Sequence, residues 1–228
     1  MATDTQGIEY MIYTVPETST VIFDVRENYL TDQIVIREIW EEDVYEVKNT
    51  RFNNGGVVID IGANIGAFSL YASYHGAIVY AIEPEPHNLE ALKKNIELNN
   101  KEDSVYVCPY AISDYKGTAV ISDEGGGATI VDDGIFGAEV EVMPLDMFFD
   151  LYHIKEVDVL KIDVEGAEPE IILGASKETL QKCKYITMEF DIRTGNRLGE
   201  MTQKLSETHH VRTMGSWERG GMVWAWLY

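Results

Sequence analysis

Cysteine is scarce. The two thiols, Cys108 and Cys183, lie on different segments and lack the paired spacing of a metal site. We read both as reduced core or near-core thiols of a cytoplasmic protein. Long apolar runs are missing, so no membrane insertion is expected. The N-terminus, Met1-Ala-Thr-Asp-Thr-Gln-Gly7, has neither the basic nor the apolar region of a secretory signal. Positive charge is short: 18 Lys and Arg stand against 39 Asp and Glu, a net charge of −21. Such a chain repels polyanions, which argues against nucleic acid as a partner. There is no Gly-x-Ser-x-Gly elbow and no cysteine beside an evident base, so covalent catalysis is not signalled. His75 and His87 have no partners at ligand spacing. His209 and His210 lie beside the expected terminal hairpin, where they could face the site, although such histidines are more often exposed or capping. No internal repeat or low-complexity linker occurs.

At 228 residues the chain can bury one α/β core with a modest appendage. Its organising stretch is Val57-Val-Ile-Asp-Ile-Gly-Ala-Asn-Ile-Gly-Ala-Phe-Ser-Leu70. The β-branched start reads as a strand covered on both faces, Gly62 and Gly66 bracket a tight turn, and Ile65, Phe68 and Ala72 then recur at helical spacing. Ligands of open α/β sheets bind where a strand ends and the chain reverses into a helix. A dinucleotide fingerprint needs glycine against a pyrophosphate, yet the residue two before Gly62 is Asp60. Its carboxylate favours a ligand with a cationic amine and no phosphate, of which S-adenosylmethionine is the common example.

Residues 1–55 form an N-terminal cap too small to fold alone, with strands expected at 20–26 and 33–40, the second also readable as a helix over 30–38. From residue 56 strand and helix alternate. Strands are expected at 78–82, 105–107, 157–163 and 184–190, and helices after Pro86, at 145–153, 169–175 and 197–208. An antiparallel excursion lies between residues 117 and 143, and a terminal hairpin follows residue 211. A parallel sheet with one antiparallel strand at its end is the natural assembly.

Two further features carry chemistry. Glu83 ends the second core strand about twenty residues beyond the glycine turn, where doubly wound nucleotide folds place an acid for ribose hydroxyls. Pro84 follows it, and Ala111 and Ile112, after the third strand, are positioned to pack on an adenine ring. Lys161-Ile-Asp-Val-Glu-Gly-Ala-Glu168 ends the fourth strand. Alternation puts Lys161, Asp163 and Glu165 on one side while the strand stays extended, and such charges are costly to bury unpaired. Glu189 and Asp191 end the fifth strand nearby. Asp163, Glu165 and Glu189 offer hard oxygen ligands to a divalent cation, although no spacing demands one.

The blocks Val58-Ile-Asp-Ile-Gly-Ala-Asn-Ile-Gly66, Glu83-Pro-Glu-Pro, Ala111-Ile-Ser-Asp and Leu160-Lys-Ile-Asp-Val-Glu-Gly-Ala-Glu resemble the FkbM family of S-adenosylmethionine-dependent methyltransferases. The resemblance covers residues 57–190. It implies the class I, Rossmann-like α/β fold: a seven-stranded, mostly parallel sheet with helices on both faces and a C-terminal antiparallel hairpin strand, here over residues 56–228. It also implies methyl transfer to a hydroxyl of a small-molecule or carbohydrate acceptor. Asp60, Gly62, Ala63, Asn64, Gly66 and Glu83 fall on its cofactor positions, and Asp163 and Glu165 on its post-fourth-strand block. A weakly nucleophilic hydroxyl needs a proton acceptor. Asp163 and Glu165 are candidates for that role, with Glu189 third, and Asp163 also borders the expected cofactor site. Arg26, Tyr45 and the loop from Gly125 to Gly134 are candidates for acceptor specificity. An amine N-methyltransferase and a non-catalytic cofactor-binding module are the alternatives.

Overall fold

Parallel strands covered on both faces need helices on both sides, and the chain supplies them. The structure is a computed structural model and describes residues 2–3, 9–26, 30–48, 52, 55–123, 128–131, 137–191, 197–216 and 218–228. Strands β1 (Ala2–Thr3), β2 (Glu9–Thr14) and β3 (Ile22–Arg26) form a small antiparallel sheet. It leads into α1 (Leu30–Arg37) and a π-helical turn at Glu38–Glu42. The core begins with β4 (Val57–Ile61), α2 (Ala67–Tyr74), β5 (Ile78–Ile82), α3 (Pro86–Leu98) and β6 (Val105–Cys108). Strands β7 (Tyr110–Ser113), β8 (Gly117–Asp123), β9 (Ala128–Val131) and β10 (Ala138–Pro144) make a second sheet in the order β7-β10-β8-β9. The chain returns through α4 (Leu145–Leu151), β11 (Val157–Ile162), α5 (Glu168–Gly174), α6 (Lys177–Gln181) and β12 (Cys183–Phe190). It ends with α7 (Leu198–Leu205), β13 (His209–Ser216) and β14 (Gly220–Leu227).

The main sheet has seven strands in the order β13-β14-β12-β11-β4-β5-β6. Only β14 runs against its neighbours, between β12 and β13. Alternation along the strands divides the core. Val58, Val79, Val159 and Tyr185 face α2 and the N-terminal segment, whereas Ile59, Leu160, Ile186 and Val223 face α4 to α7. The sheet reverses its order of growth between β4 and β11, so the ligand-binding crevice lies past their carboxyl ends. Gly62 and Asp163 leave those two ends. Gly62 has φ +77°, and a Cβ there would stand 1.8 Å from the Asp163 carbonyl oxygen.

Residues 33–40 are helical, which corrects the strand expected there. Ile36, Ile39 and Trp40 are buried at i, i+3 and i+4, and that helical stripe outweighs the β propensity of Ile-Val-Ile. The N-terminal segment shares its core with the main sheet: Phe23, Val25, Ile39, Trp40, Tyr45 and Val47 belong to one cluster with Val58, Phe68 and Leu70. The edge of β3 is closed by side chains of α3 and its C-cap residue. Asn95 Oδ1 and Asn99 Oδ1 accept from the amides of Asp24 (2.7 Å) and Ile22 (3.0 Å). Strand β11 ends at Ile162, one residue before Asp163, and Glu165 (φ +57°) and Gly166 (φ +108°) turn sharply, so simple alternation stops before Glu165.

Candidate active site

A cavity of about 560 Å³ opens past the carboxyl ends of β4, β5 and β11. Of the residues singled out from sequence, Gly62, Ala63, Asn64, Glu83, Pro84, Ala111, Ile112, Asp163 and Glu165 line it. Val35 and Ile39 reach it from α1 and the turn that follows, and Asn88 from the first turn of α3.

The glycine turn is wired to β5. The amides of Gly62 and Ala63 both donate to Ile82 O at 3.0 Å, and the Gly66 amide donates to Ala63 O at 2.8 Å. Asn64, in the left-handed region at φ +50°, donates its amide to Glu83 Oε2 at 2.8 Å. Those amides are therefore unavailable to a phosphate, the physical reason this turn does not suit a pyrophosphate. Asn64 Oδ1 is buried without a partner among the described residues and leaves an acceptor at the cavity wall. Gly66 lies off the cavity. A Cβ there would meet Leu92 Cδ1 at 2.7 Å, so this glycine lets α2 and α3 approach.

Glu83 is 3% exposed. Its oxygens accept from the Asn64 and Glu85 amides (2.8 and 2.9 Å). Burial nevertheless pushes its carboxyl up to about 7, against the pull of those two amides. Glu85 in turn caps α3, accepting from the Asn88 amide at 2.6 Å. Arg26, expected near the acceptor, is instead buried beneath the rim. It donates to Asp32 and to Asn88 Oδ1 (2.9 Å), fixing the side chain that faces the cavity.

Asp60 does not face the cavity, which corrects the expectation that its carboxylate meets a ligand. It is fully buried: Oδ2 accepts from Ser69 Oγ at 2.6 Å, and Lys161 Nζ lies 3.1 Å from Oδ1, off the hydrogen-bond direction. Lys161 also donates to Gly62 O at 2.7 Å and stands 3.5 Å from Asp163 Oδ2. Burial works against its charge, but Asp60 and Asp163 outweigh that and hold its pKa above the ordinary lysine value. The ammonium thus bridges the buried carboxylate of Asp60 and the carboxylate of Asp163 at the cavity. Asp60 and Lys161 were each visible in the sequence as charges near a strand end; their register opposite one another and their burial were not.

Asp163 accepts a hydrogen bond beside that ion pair. Tyr45 Oη donates to its Oδ2 at 2.9 Å. Glu189, one residue past the Met188–Ile162 pairing, stands beside it on β12, exposed and outside the cavity wall. Crowding by the surrounding protein and the charges of Asp163 and Glu38 push Glu189 up to about 7. Among the described residues no three His, Cys, Asp or Glu side chains are grouped to hold a metal ion. The loop from Gly125 to Gly134 falls largely on residues outside the described ones.

Several known proteins are similar. Methyltransferase sdnD of Sordaria araneosa is 26% identical over 193 residues, 69% of this chain and 74% of that protein. The 31-O-demethyl-FK506 methyltransferase FkbM of Streptomyces tacrolimicus is 28% identical over 209 residues, covering 76% and 79%. The hexuronic acid methyltransferase AglP of Haloferax volcanii is 25% identical over 191 residues, covering 75% and 73%. The fold is shared with SMU.1697c of Streptococcus mutans, solved with SAH (TM-score 0.51, 13% identity, 84% of this chain and 97% of that one). It is also shared with the precorrin-6y C5,15-methyltransferase of Geobacter metallireducens (TM-score 0.50, 14% identity, 90% and 94%). The family model of the methyltransferase FkbM domain matches residues 60–216, more than half the chain, and the protein belongs to that family of methyltransferases.

Proposed function

We propose that the protein transfers a methyl group from S-adenosylmethionine to a hydroxyl of a small-molecule or carbohydrate acceptor. The observation that carries this reading is the pair of carboxylates on one cavity wall, Glu83 past β5 and Asp163 past β11, with the switch point between them. The residues present fit the cofactor. Glu83 offers acceptor oxygens to ribose hydroxyls, and Ala111 and Ile112 offer an apolar wall to a base. The unpartnered Oδ1 of Asn64 suits a donor such as an ammonium. Asp60 acts at one remove, by fixing Lys161. The SAH held by the S. mutans protein of the same fold, and the names of the FkbM and AglP relatives, support the same reading.

When bound, S-adenosylmethionine supplies an electrophilic methyl group, and the electron pair of the broken carbon–sulfur bond stays on sulfur. The protein's part is to orient the acceptor and to take its proton. Asp163 Oδ2 is held by Tyr45 and Lys161, while Oδ1 has no partner among the described residues. Oδ1 is the atom that receives the hydroxyl proton as the new oxygen–carbon bond forms. Much of the rate enhancement comes from holding the hydroxyl in line with the bond that breaks. The charge of Asp163 already raises the carboxyls of Glu38 and Glu189, so this end disfavours a further anion such as a uronic acid and favours a neutral acceptor. The same charge is the observation that favours the second reading, an amine acceptor.

Transfer of labelled methyl from S-adenosylmethionine into a panel of alcohols, neutral glycans, uronic acids and amines tests the reading. Incorporation into a neutral hydroxyl, lost at least a hundredfold in Asp163→Asn, supports it. Incorporation into amines alone, or an Asp163→Asn variant at wild-type rate, refutes the hydroxyl reading with Asp163 as base.

A further inference from the structure

We propose that Tyr45, brought by the N-terminal segment, is the positioning residue that aims Asp163 at the acceptor; the inference rests on Asp163 being the proton acceptor. The Tyr45 ring packs edge-on against Phe68 with centroids 5.3 Å apart, and the residue is 5% exposed. A phenylalanine would fill that space equally well. The hydroxyl is costly to bury unless it is paired, and its partner is Asp163 Oδ2 at 2.9 Å. Burial and the negative charge of Asp163 push the phenol well above its usual range, so it stays a donor throughout the working pH. Lys161 Nζ approaches the same oxygen at 3.5 Å and lies 5.6 Å from the Tyr45 ring centre. Both donors thus hold Oδ2, and Oδ1 is left for the acceptor. This is the base-and-orienter arrangement by which a carboxylate is fixed in one rotamer.

The loop that presents Tyr45 is built to hold it. Asp43, left-handed at φ +53°, accepts from the Val47 amide at 2.8 Å and from the Lys48 amide at 3.1 Å. Lys48 Nζ donates to Glu41 O at 2.7 Å. Tyr185 of β12 donates its hydroxyl to Tyr45 O at 3.2 Å, and Arg212 of β13 pairs with Glu46. Two strands of the main sheet therefore fasten the loop directly beside Asp163. A segment serving only to cover the core would need neither clamp at this point.

The test uses the full chain and the Tyr45→Phe variant, which keeps the ring and removes the hydroxyl. Turnover is measured with S-adenosylmethionine and whichever alcohol of the panel accepts methyl. The variant is expected to lose about tenfold in kcat with KM for both substrates within twofold. Its affinity for S-adenosylhomocysteine and its Tm should stay at wild-type values. In an Asp163→Asn background, Tyr45→Phe is expected to cost nothing further, since two residues acting as a unit are not additive. A crystal structure of Tyr45→Phe is expected to show the Asp163 carboxylate turned from its wild-type rotamer. An unchanged kcat, a tenfold loss that persists in the Asp163→Asn background, or an unmoved carboxylate overturns the proposal. A wild-type rate in Asp163→Asn alone refutes the parent reading instead, and the crystal structure still tests the hold of Tyr45 on Asp163.

Discussion

Replacing Gly62 by alanine separates two reasons for a glycine at the switch point. The conformational reason is shared with Gly55: φ is +84° there and +77° at Gly62. A left-handed conformation costs an L-residue with a side chain about 1 kcal/mol. At Gly55 an added Cβ has no heavy atom within 4 Å, so Gly55→Ala is expected to cost that amount alone. At Gly62 the Cβ would lie 1.8 Å from the Asp163 carbonyl oxygen and 2.9 Å from its carbon. Both are backbone atoms, so no side chain can swing aside. The ends of β4 and β11 must part until that contact is relieved, which strains the Asp163 amide bond to Ile61 O (3.0 Å) and the Lys161 bond to Gly62 O (2.7 Å). A loss of about 4 kcal/mol or more is expected, in the range reserved for forced backbone displacement. Urea unfolding of the two variants at one pH measures the difference, expected to be about 3 kcal/mol. Calorimetry on whatever fraction of Gly62→Ala folds should show weakened S-adenosylhomocysteine binding. Equal losses in the two variants would refute the argument from close approach.

Other outcomes follow from the buried charges and amides. Glu83 is raised from 4.5 to about 7 by burial, so its contribution to stability is fully present below about pH 4.5 and is lost as pH rises through about 7. That amounts to about 3 kcal/mol at most. Urea midpoints should fall between pH 5 and pH 8, and a flat or rising profile would contradict the assignment. Over the same interval S-adenosylhomocysteine affinity should rise, because ribose hydroxyls donate better to an ionised carboxylate. Lys161→Met leaves Asp60 buried without its cation and is expected to cost about 3–5 kcal/mol, with part recovered in the Asp60→Asn, Lys161→Met double variant. Asn95→Ala removes the bonds to the Asp24 amide (2.7 Å) and the Ile65 carbonyl (2.9 Å). It should cost about 2–4 kcal/mol and speed hydrogen exchange at the Asp24 amide.

The sheet was readable because its strands are β-branched runs separated by helices with clear stops. Pro86 begins α3, Leu92 and Ile96 are buried on one face of it, and Asn99 ends it, as the spacing predicts. Glu83 and Asp163 were legible for a related reason: each is an acid at the end of a strand whose neighbours are apolar. What stayed hidden depended on contacts between distant segments. Asp60 carries the same pattern as a ligand-facing acid, and only the position of Lys161, 101 residues later, turns it into a buried ion pair. Ile34-Val-Ile favours a strand by propensity, and the burial of Ile36, Ile39 and Trp40, with Trp40 packed against Tyr71 at 5.1 Å between centroids, decides for the helix. Tyr45 sits in an acidic loop with no local signal beyond its own aromatic ring; its partner lies 118 residues away.

Calorimetric titration of S-adenosylhomocysteine into the full chain, beside its Glu83→Ala variant, tests the central claim without knowledge of the acceptor. The account predicts a single saturable site in the wild type. It predicts at least tenfold weaker binding in Glu83→Ala, a loss of about 1.4 kcal/mol or more. No heat of binding in the wild type, or equal affinity in the two proteins, would contradict it.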